Sequence, residues 1–234
     1  MDILIEHVDV LKEGRLIRDT DLLIENNRIG GIGNIKCEAE EKIEGKDLVA
    51  MPGLLNMHTH LGLTCARGLF DDLSFEDFLR QTEDFDRNNT RKMIYKSAVA
   101  GMAEMIATGT TCFLDFYYDE DMVEKAAEAL GMRCALAWAV LDDDKTTQKG
   151  SPLKNCERFL KRKRSALVTR GVALQGVYAC SDETMLKAKE LASETFLTMH
   201  LNESQGEVYS FFKEKGKRPA EYSPREFQCI YFFC

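Results

Sequence analysis

The sequence predicts an α/β fold in which a partial (β/α)8 TIM-type barrel of about five strands follows a small β-sandwich. Short β-rich runs occupy the first 50 residues, and apolar strands then alternate with amphipathic helices. Such alternation is typical of right-handed βαβ units and a parallel sheet. The chain has 234 residues, so too little follows residue 50 to build eight of these units.

The first 50 residues contain three strand-like segments. Alternating apolar residues at 2–11 and 21–25 predict two strands, and Asn26-Asn27 predicts a turn before a third strand at 28–33. Short antiparallel strands of this kind are typical of a small β-sandwich that needs further strands to close. We therefore assign residues 1–50 to an N-terminal sandwich.

The pattern changes at Leu48, where a short apolar run up to Pro52-Gly53 predicts the first barrel strand. Strands are then expected at 110–116, 133–141, 172–177 and 195–201, and helices at 90–108, 121–130, 153–163, 182–192 and 204–215. Gly109 is expected to end the first of these helices, since glycine readily adopts the left-handed conformation found there. We assign residues 51–222 to a barrel that is incomplete.

The last twelve residues, 223–234, form an atypical tail. They are rich in aromatic residues and cysteine and follow none of the preceding periods. One hypothesis is a shift of the reading frame near Tyr222, so that the tail is not native coding. The nucleotide sequence beyond that codon tests this, because another frame should continue the alternation of strands and helices.

Composition narrows the class of protein. The net charge of −8 argues against binding to nucleic acid, which favours a basic surface. No apolar run approaches the ~18 residues of a membrane helix, so no membrane association is expected. None of the eight cysteines forms a C-x2-C pair, which disfavours a cysteine zinc site and suits buried thiols in a reducing cytoplasm.

His58 and His60 are the first candidates for chemistry. They are separated by one residue and follow an apolar strand, so their side chains lie on one face. Barrel enzymes place their active sites at this end of the strands, and imidazole suits Zn, Fe or Ni. The alternative interpretation of the spacing is two surface histidines in a loop.

His200 ends another apolar strand, and parallel strand ends gather on one rim of a barrel. It can therefore join His58 and His60, whereas His7 in the first strand is expected to be structural. Glu203 lies three residues after His200, where a carboxylate could move a proton between water and a leaving nitrogen. The alternative is an ordinary acid at a helix N-terminus, favoured by the helix dipole.

The segment Met51–His60 (MPGLLNMHTH), with Arg67-Gly68 behind it, resembles the first-strand motif of the amidohydrolase superfamily. The branch it resembles contains deaminases and chlorohydrolases of aminated purines and triazines, including methylthioadenosine/S-adenosylhomocysteine deaminases. Leu73–Leu79 is similar to the first barrel loop of that branch, and His200–Ser204 is similar to its fifth-strand motif. The likeness spans residues 1 to about 222.

The resemblance implies a hydrolase that acts on C–N bonds other than peptide bonds, through hydrolytic deamination of an aminopurine nucleoside or a related heterocycle. It implies one divalent metal, Zn in the first place and Fe as the alternative. The implied roles are metal ligand for His58, His60 and His200, proton shuttle and ring-nitrogen contact for Glu203, and substrate contact for Asp86 (or Glu83) and Gln175.

The chain also departs from that family's pattern. Trp138 stands where a third-strand arginine can hold a substrate carboxylate, and Gln175 stands where the fourth strand often has a histidine. The absence of lysine from 172–181 disfavours the binuclear branch. The sixth-strand histidine and eighth-strand aspartate would fall beyond residue 222, so the chain is expected to be truncated at its C-terminal end and to show little or no deaminase activity by itself.

Three hypotheses therefore stay open. The first is a metal-dependent deaminase, and the second is a truncated, non-catalytic remnant or partner-dependent fragment that keeps the metal ligands. The third is a binding protein without metal. The expected partner is a small heterocyclic molecule, and exposed sheet edges leave association into a homo-oligomer open.

Overall fold

The structure of the protein is a computed structural model that describes residues 2–226, so the tail predicted at 223–234 falls mostly outside the described residues. The chain forms two compact units, Met1–Gly53 and Leu54–Cys234. Among the described residues, none of the helices has the length and apolar character that crossing a bilayer requires.

The first unit is a five-stranded sheet. Its strands are β1 (Ile3–Lys12), β2 (Arg15–Glu25), β3 (Arg28–Gly33), β4 (Glu41–Glu44) and β5 (Val49–Ala50). The order is β3-β2-β1-β4, and β5 also pairs with β1. The expectation of antiparallel strands is right for the first three strands and wrong for β4 and β5, which run parallel to β1. The reason is that the segment after β3 crosses to the side of β1 opposite β2. The chain then runs again in the direction of β1 when it pairs there.

The apolar run near residue 50 was expected to form the first barrel strand, and this prediction is wrong. Val49–Ala50 instead pairs with Asp9 and Val10 in the first unit. Pro52 has no N–H group to donate to a ladder and follows β5 closely, which favours the end of pairing there. The first barrel strand is β6 (Leu54–Thr59), so His58 lies inside a strand rather than after one.

The second unit is a curled half-barrel of five parallel strands, which confirms the predicted partial TIM-type barrel and its number of strands. The strands after β6 are β7 (Thr110–Tyr117), β8 (Arg133–Val140), β9 (Val168–Leu174) and β10 (Leu197–Met199). They pair in sequence order, so β6 and β10 are the outer strands of the sheet within the described residues.

Helices follow the strands in the second unit, and a short 3-10 helix (Leu61–Ala66) follows β6. They are α1 (Phe75–Asn88), α2 (Arg91–Ala107), α3 (Glu120–Leu130), α4 (Pro152–Leu160), α5 (Asp182–Leu191), α6 (Gln205–Lys215) and α7 (Pro219–Glu226). The Thr90 hydroxyl accepts a hydrogen bond from Met93 N (3.2 Å) at the start of α2, and Gly109 with φ of 83° follows its end as predicted.

The two faces of the half-barrel have different cores. The helix-covered face buries a large apolar cluster that includes Ile94, Met102, Phe113 and Leu136. The other face carries a smaller cluster of Phe116, Ala137, Ala139 and Ala173. Because three of these four side chains are alanines, this face leaves space above the sheet.

Candidate metal centre and its cavity

The structure brings the three predicted histidines together. His58 lies in β6, His60 follows the end of β6, and His200 follows β10. Their ligand nitrogens all lie within 4.8 Å of one another, and His58 Nε2 is 3.1 Å from His60 Nε2. Since β6 and β10 are the outer strands of the sheet, it is the curl of the half-barrel that brings these residues into one cluster.

Backbone carbonyls orient two of the three rings. His60 Nδ1 donates to the carbonyl oxygen of Phe116, and His200 Nδ1 donates to that of Gln175 at 3.1 Å. A carbonyl oxygen can only accept, so each Nδ1 carries the proton and each Nε2 keeps its lone pair. Nε2 of His200 is buried and has no hydrogen-bond partner among the described residues.

Burial keeps these imidazoles neutral. It lowers the pKa of His60 to about 4 and that of His200 to about 3, because desolvation disfavours the charged ring. The neighbouring imidazoles push both values in the same direction, and burial also lowers the pKa of His58. Neutral imidazole nitrogens that converge in this way fit a divalent metal ion.

A cavity of about 310 Å³ opens beside the cluster. It is lined by five of the six predicted site residues, namely His60, Asp86, Gln175, His200 and Glu203. The sixth, His58, packs against the other two histidines, with ring centroids 4.7 Å from His60 and 5.1 Å from His200. Sequence reasoning therefore found residues that the fold places around one space.

Glu203 lies at the wall of this cavity, next to Ser204, the N-cap residue of α6. The hydroxyl of Tyr178 donates to Glu203 Oε2 at 3.0 Å, and Glu203 N donates to Glu207 Oε2 at 2.6 Å. Burial raises the pKa of Glu203, and the hydrogen bond from Tyr178 opposes that rise. The carboxyl is thus held in one orientation with a raised proton affinity.

Asp86 lies in α1 and lines the cavity, whereas the family resemblance predicted a loop over Leu73–Leu79. The N-cap of α1 is Ser74, whose hydroxyl accepts a hydrogen bond from Asp77 N at 3.2 Å. The hydroxyl of Tyr117 donates to Asp86 Oδ1. Burial raises the pKa of Asp86 from 3.8 to about 6, although hydrogen bonds from Tyr117 and Tyr118 oppose it.

Gln175 and Trp138 both have polar partners. These are the two residues that differ from the ones expected at their positions from the family resemblance. Gln175 Nε2 donates to the Tyr178 hydroxyl at 3.0 Å. Trp138 is buried, and its Nε1 donates to Gln148 Oε1 at 2.8 Å. Each side chain is therefore fixed by a neighbour within the half-barrel.

Sequence reasoning missed several residues that support this site. Tyr117 ends β7 and Tyr178 follows β9, so their positions near strand ends were a signal, although only the fold shows where each hydroxyl points. Asp115 was also missed, although it is the single acid in the apolar strand TTCFLDFY. It is fully buried, and its Oδ1 accepts from Leu61 N, directly after His60, at 2.7 Å.

Comparison with known proteins places these features in context. A model of the amidohydrolase family matches residues 49–227. A 5-methylthioadenosine/S-adenosylhomocysteine deaminase of Thermococcus sibiricus is 34% identical over 229 residues, which cover 94% of this chain and 54% of that protein. A 5'-deoxyadenosine deaminase of Methanocaldococcus jannaschii is 33% identical over 211 residues, covering 86% and 50%. The chain spans about half the length of the curated relatives it matches.

Solved structures share the fold. A triazine hydrolase of Arthrobacter aurescens superimposes with a TM-score of 0.86 at 18% identity, over 96% of this chain and 58% of that one. An adenosine deaminase of Xanthomonas campestris with bound zinc gives a TM-score of 0.86 at 22% identity, over 94% and 54%. At this level of identity the likeness establishes the shared architecture.

Proposed function

The chain belongs to the amidohydrolase family, and from this premise we propose that its site serves metal-dependent hydrolysis of a C–N bond. The proposed reaction is deamination of a purine nucleoside or a related aminated heterocycle. The observation that carries the proposal is the meeting of His58, His60 and His200 beside a cavity that Glu203 also lines. The names of the deaminase relatives support the choice of substrate class.

The three histidines would hold one divalent cation, and we propose zinc. Neutral imidazole is a common zinc ligand, and a structural neighbour was solved with zinc. When bound, such a cation supplies Lewis acidity, which lowers the pKa of water towards neutrality. Burial in the chain keeps the three rings uncharged, and the carbonyls of Phe116 and Gln175 leave Nε2 of His60 and of His200 without a proton.

Glu203 is proposed to move the proton. A C–O bond forms as water attacks and the C–N bond breaks, so one proton must pass from water to the departing nitrogen before ammonia leaves. Oε2 of Glu203 accepts from Tyr178, which leaves Oε1 as the oxygen proposed to carry that proton. Partial burial raises the pKa of this carboxyl, which suits a group that takes up a proton and then releases it.

Asp86 and Gln175 are proposed to contact the substrate, since both line the cavity. The Asp86 carboxyl can accept hydrogen bonds from sugar hydroxyls, and Gln175 offers an amide. A cavity of about 310 Å³ lies at the small end of the range for ligand sites, which suits a single heterocyclic molecule.

We propose that the protein works in the cytoplasm. The buried thiols of Cys134, Cys156 and Cys180 are compatible with that reducing compartment.

A second candidate is a partner-dependent fragment that binds metal without turnover. It is favoured by the share of the relatives' length that the chain spans, about half. Also, within the described residues the candidate metal group consists of three histidines and no carboxylate. This candidate predicts a loaded metal site and no release of ammonia.

The purified 234-residue chain separates these functions. Metal content after incubation with zinc is measured in the wild type, in His200→Asn and in His7→Asn, a control in the first unit. We expect about one zinc ion per chain in the wild type and the control, and its loss in His200→Asn. A folded wild type that binds no zinc contradicts both candidates.

Release of ammonia is then measured with 5'-deoxyadenosine and S-adenosylhomocysteine, with and without zinc. We expect the chain by itself to bind zinc and to release little ammonia. Slow release that depends on zinc and is lost in Glu203→Gln supports the deaminase. Zinc binding with no release from any aminated nucleoside supports the second candidate.

A further inference from the structure

Tyr178 connects the end of β9 to the carboxyl group of Glu203. Gln175 Nε2 donates to the Tyr178 oxygen at 3.0 Å, and the Tyr178 hydroxyl is 3.0 Å from Glu203 Oε2. Both Tyr178 and Glu203 line the cavity beside His200. The three side chains therefore form a continuous hydrogen-bonded chain along one wall.

The direction of this hydrogen-bonded chain is determined by its first member. An amide NH₂ group can only donate, so the Tyr178 oxygen accepts from Gln175. The tyrosine proton is then free to point at Glu203 Oε2. Burial raises the pKa of Tyr178 above its ordinary range, and the charge of Glu203 adds to that rise, so the phenol stays a donor.

The backbone of Glu203 is held separately from its side chain. Glu203 N donates to Glu207 Oε2 at 2.6 Å, and Glu207 N donates to the Ser204 hydroxyl at 3.0 Å. Burial raises the pKa of Glu207, while backbone N–H groups of Glu203, Ser204 and Val177 oppose that rise. Glu207 thus connects the loop that carries Tyr178 to the start of α6. It holds the backbone of Glu203, and the orientation of the Glu203 carboxyl depends on another contact.

The loop before Tyr178 is shaped around its ring. Gly176 has a φ of 147°, and a Cβ atom placed there would lie 2.7 Å from the ring of Tyr178. Glycine permits both the backbone conformation and the close approach. The ring is consequently packed across the backbone of Gly176, which limits the positions its hydroxyl can take.

We propose that Tyr178 is the positioning residue for Glu203, with Gln175 orienting the tyrosine hydroxyl. Its hydrogen bond to Oε2 fixes the plane of the carboxyl and leaves Oε1 to move the proton in the cavity. The inference rests on the proposed function, because a proton shuttle must present one oxygen in a defined direction. It assigns to Gln175 a role within the protein in addition to its predicted contact with the substrate.

The test compares Tyr178→Phe with Tyr209→Phe. The first removes a single hydroxyl from the cavity wall, and the second removes one from an exposed tyrosine in α6. The protonation of Glu203 is followed by ¹³C NMR of chains labelled at the glutamate carboxyl carbon, with the signal assigned through Glu203→Gln. Loss of the Tyr178 donor removes stabilisation of the carboxylate, so its titration midpoint is expected to rise by ~0.5–1 pH unit. Tyr209→Phe should leave the midpoint unchanged.

Gln175→Leu provides a second variant in case Tyr178→Phe does not fold. It keeps the tyrosine but removes the donor that orients it, so the Glu203 midpoint should rise by a smaller amount. A merely structural role of Tyr178 would lower the melting temperature without moving the midpoint. An unchanged midpoint in whichever of these variants folds overturns the proposal.

Turnover gives an independent readout where the wild type releases ammonia. Tyr178→Phe should then lower kcat about tenfold and leave KM unchanged, because the carboxyl acts on the proton rather than on binding. Should the wild type release no ammonia under any condition, the proposed function fails. The titration of Glu203 still decides whether Tyr178 positions it.

Discussion

The histidine cluster and the carboxyl groups of the same cavity are held in different ways. His60 and His200 donate to main-chain carbonyls, those of Phe116 and Gln175. Asp86 and Glu203 instead accept from tyrosine hydroxyls. Because a carbonyl belongs to the backbone, its contact survives a change of side chain, whereas a single substitution removes a hydroxyl. The fold therefore orients the histidines, and individual side chains tune the acids.

Burial acts on both groups through one physical effect with opposite signs. It lowers the pKa of the histidines and raises that of the acids, because desolvation disfavours whichever form is charged. The cavity thus favours a neutral imidazole and a carboxyl that is readily protonated. Both states suit the proposed chemistry, in which one group binds a cation and the other carries a proton.

The largest expected effect tests whether the backbone alone supports the histidines. Asp115 is a side chain that also supports the histidine cluster, since its carboxyl accepts a hydrogen bond from Leu61 N, directly after His60. Asp115→Leu removes this acceptor and should weaken zinc binding by ~10–100-fold, as measured by competition with a chromophoric chelator. Asp115→Asn keeps an acceptor oxygen and serves as the matched variant. Equal zinc affinity in the leucine variant and the wild type would show that backbone contacts alone suffice to orient the histidine cluster.

A smaller effect is expected from Asp86, on stability as a function of pH. Its pKa in the folded chain is raised from 3.8 to about 6, so the folded state binds more protons than the unfolded state between these values. Stability from this group is fully present below about pH 4 and is lost as the pH rises through about 6, by ~1–2 kcal/mol after allowing for partial exposure.

Urea unfolding at several pH values between 4 and 7 measures this loss. Asp86→Asn should remove it, because an amide does not titrate in this range. Asp84→Asn, on the exposed side of α1, should retain the wild-type dependence. A wild type whose stability rises over this interval relative to Asp86→Asn would contradict the assigned sign.

The smallest effect is expected at Arg67, which belongs to the sequence motif but not to the cavity. It forms an exposed, two-pronged ion pair with Glu104, at 2.7 and 2.8 Å. Exposed pairs contribute little because water and salt screen them. Arg67→Gln should leave zinc affinity unchanged and lower the melting temperature only slightly. A marked loss of zinc would show that the motif supports the histidines from outside the cavity as well.

The sequence predicted the residues of the cavity better than the residues that hold them. His58, His60 and His200 could be grouped because parallel strands end on one rim. Tyr117 and Tyr178 were missed because an aromatic residue near a strand end is usually a core residue, and only the fold shows where its hydroxyl points. Phe116 and Gln175 act through backbone carbonyls, which no residue type reveals.

The boundaries of the elements show a similar limit. Val49–Ala50 and Leu54–Thr59 are both short apolar segments, and only their pairing partners decide which sheet each joins. The helix α1 is a different case, because Phe75, Phe78 and Phe85 recur at helical spacing although none of its residues is buried. The local pattern was present there, but the family resemblance pointed to a loop. For the two strands, by contrast, the deciding information is long-range contact.

The position of the histidines on the outer strands has a consequence for folding. A cation held by His58, His60 and His200 would join the first and last strands of the half-barrel, which otherwise depend on the pairing of every strand between them. Binding to the folded state alone adds stability in proportion to the logarithm of the free-ion concentration. The cation would also close the long stretch of chain between β6 and β10. Contacts between residues so distant in sequence form slowly, and the cation favours their assembly. The supply of metal would then govern how much of the chain survives heating or proteolysis.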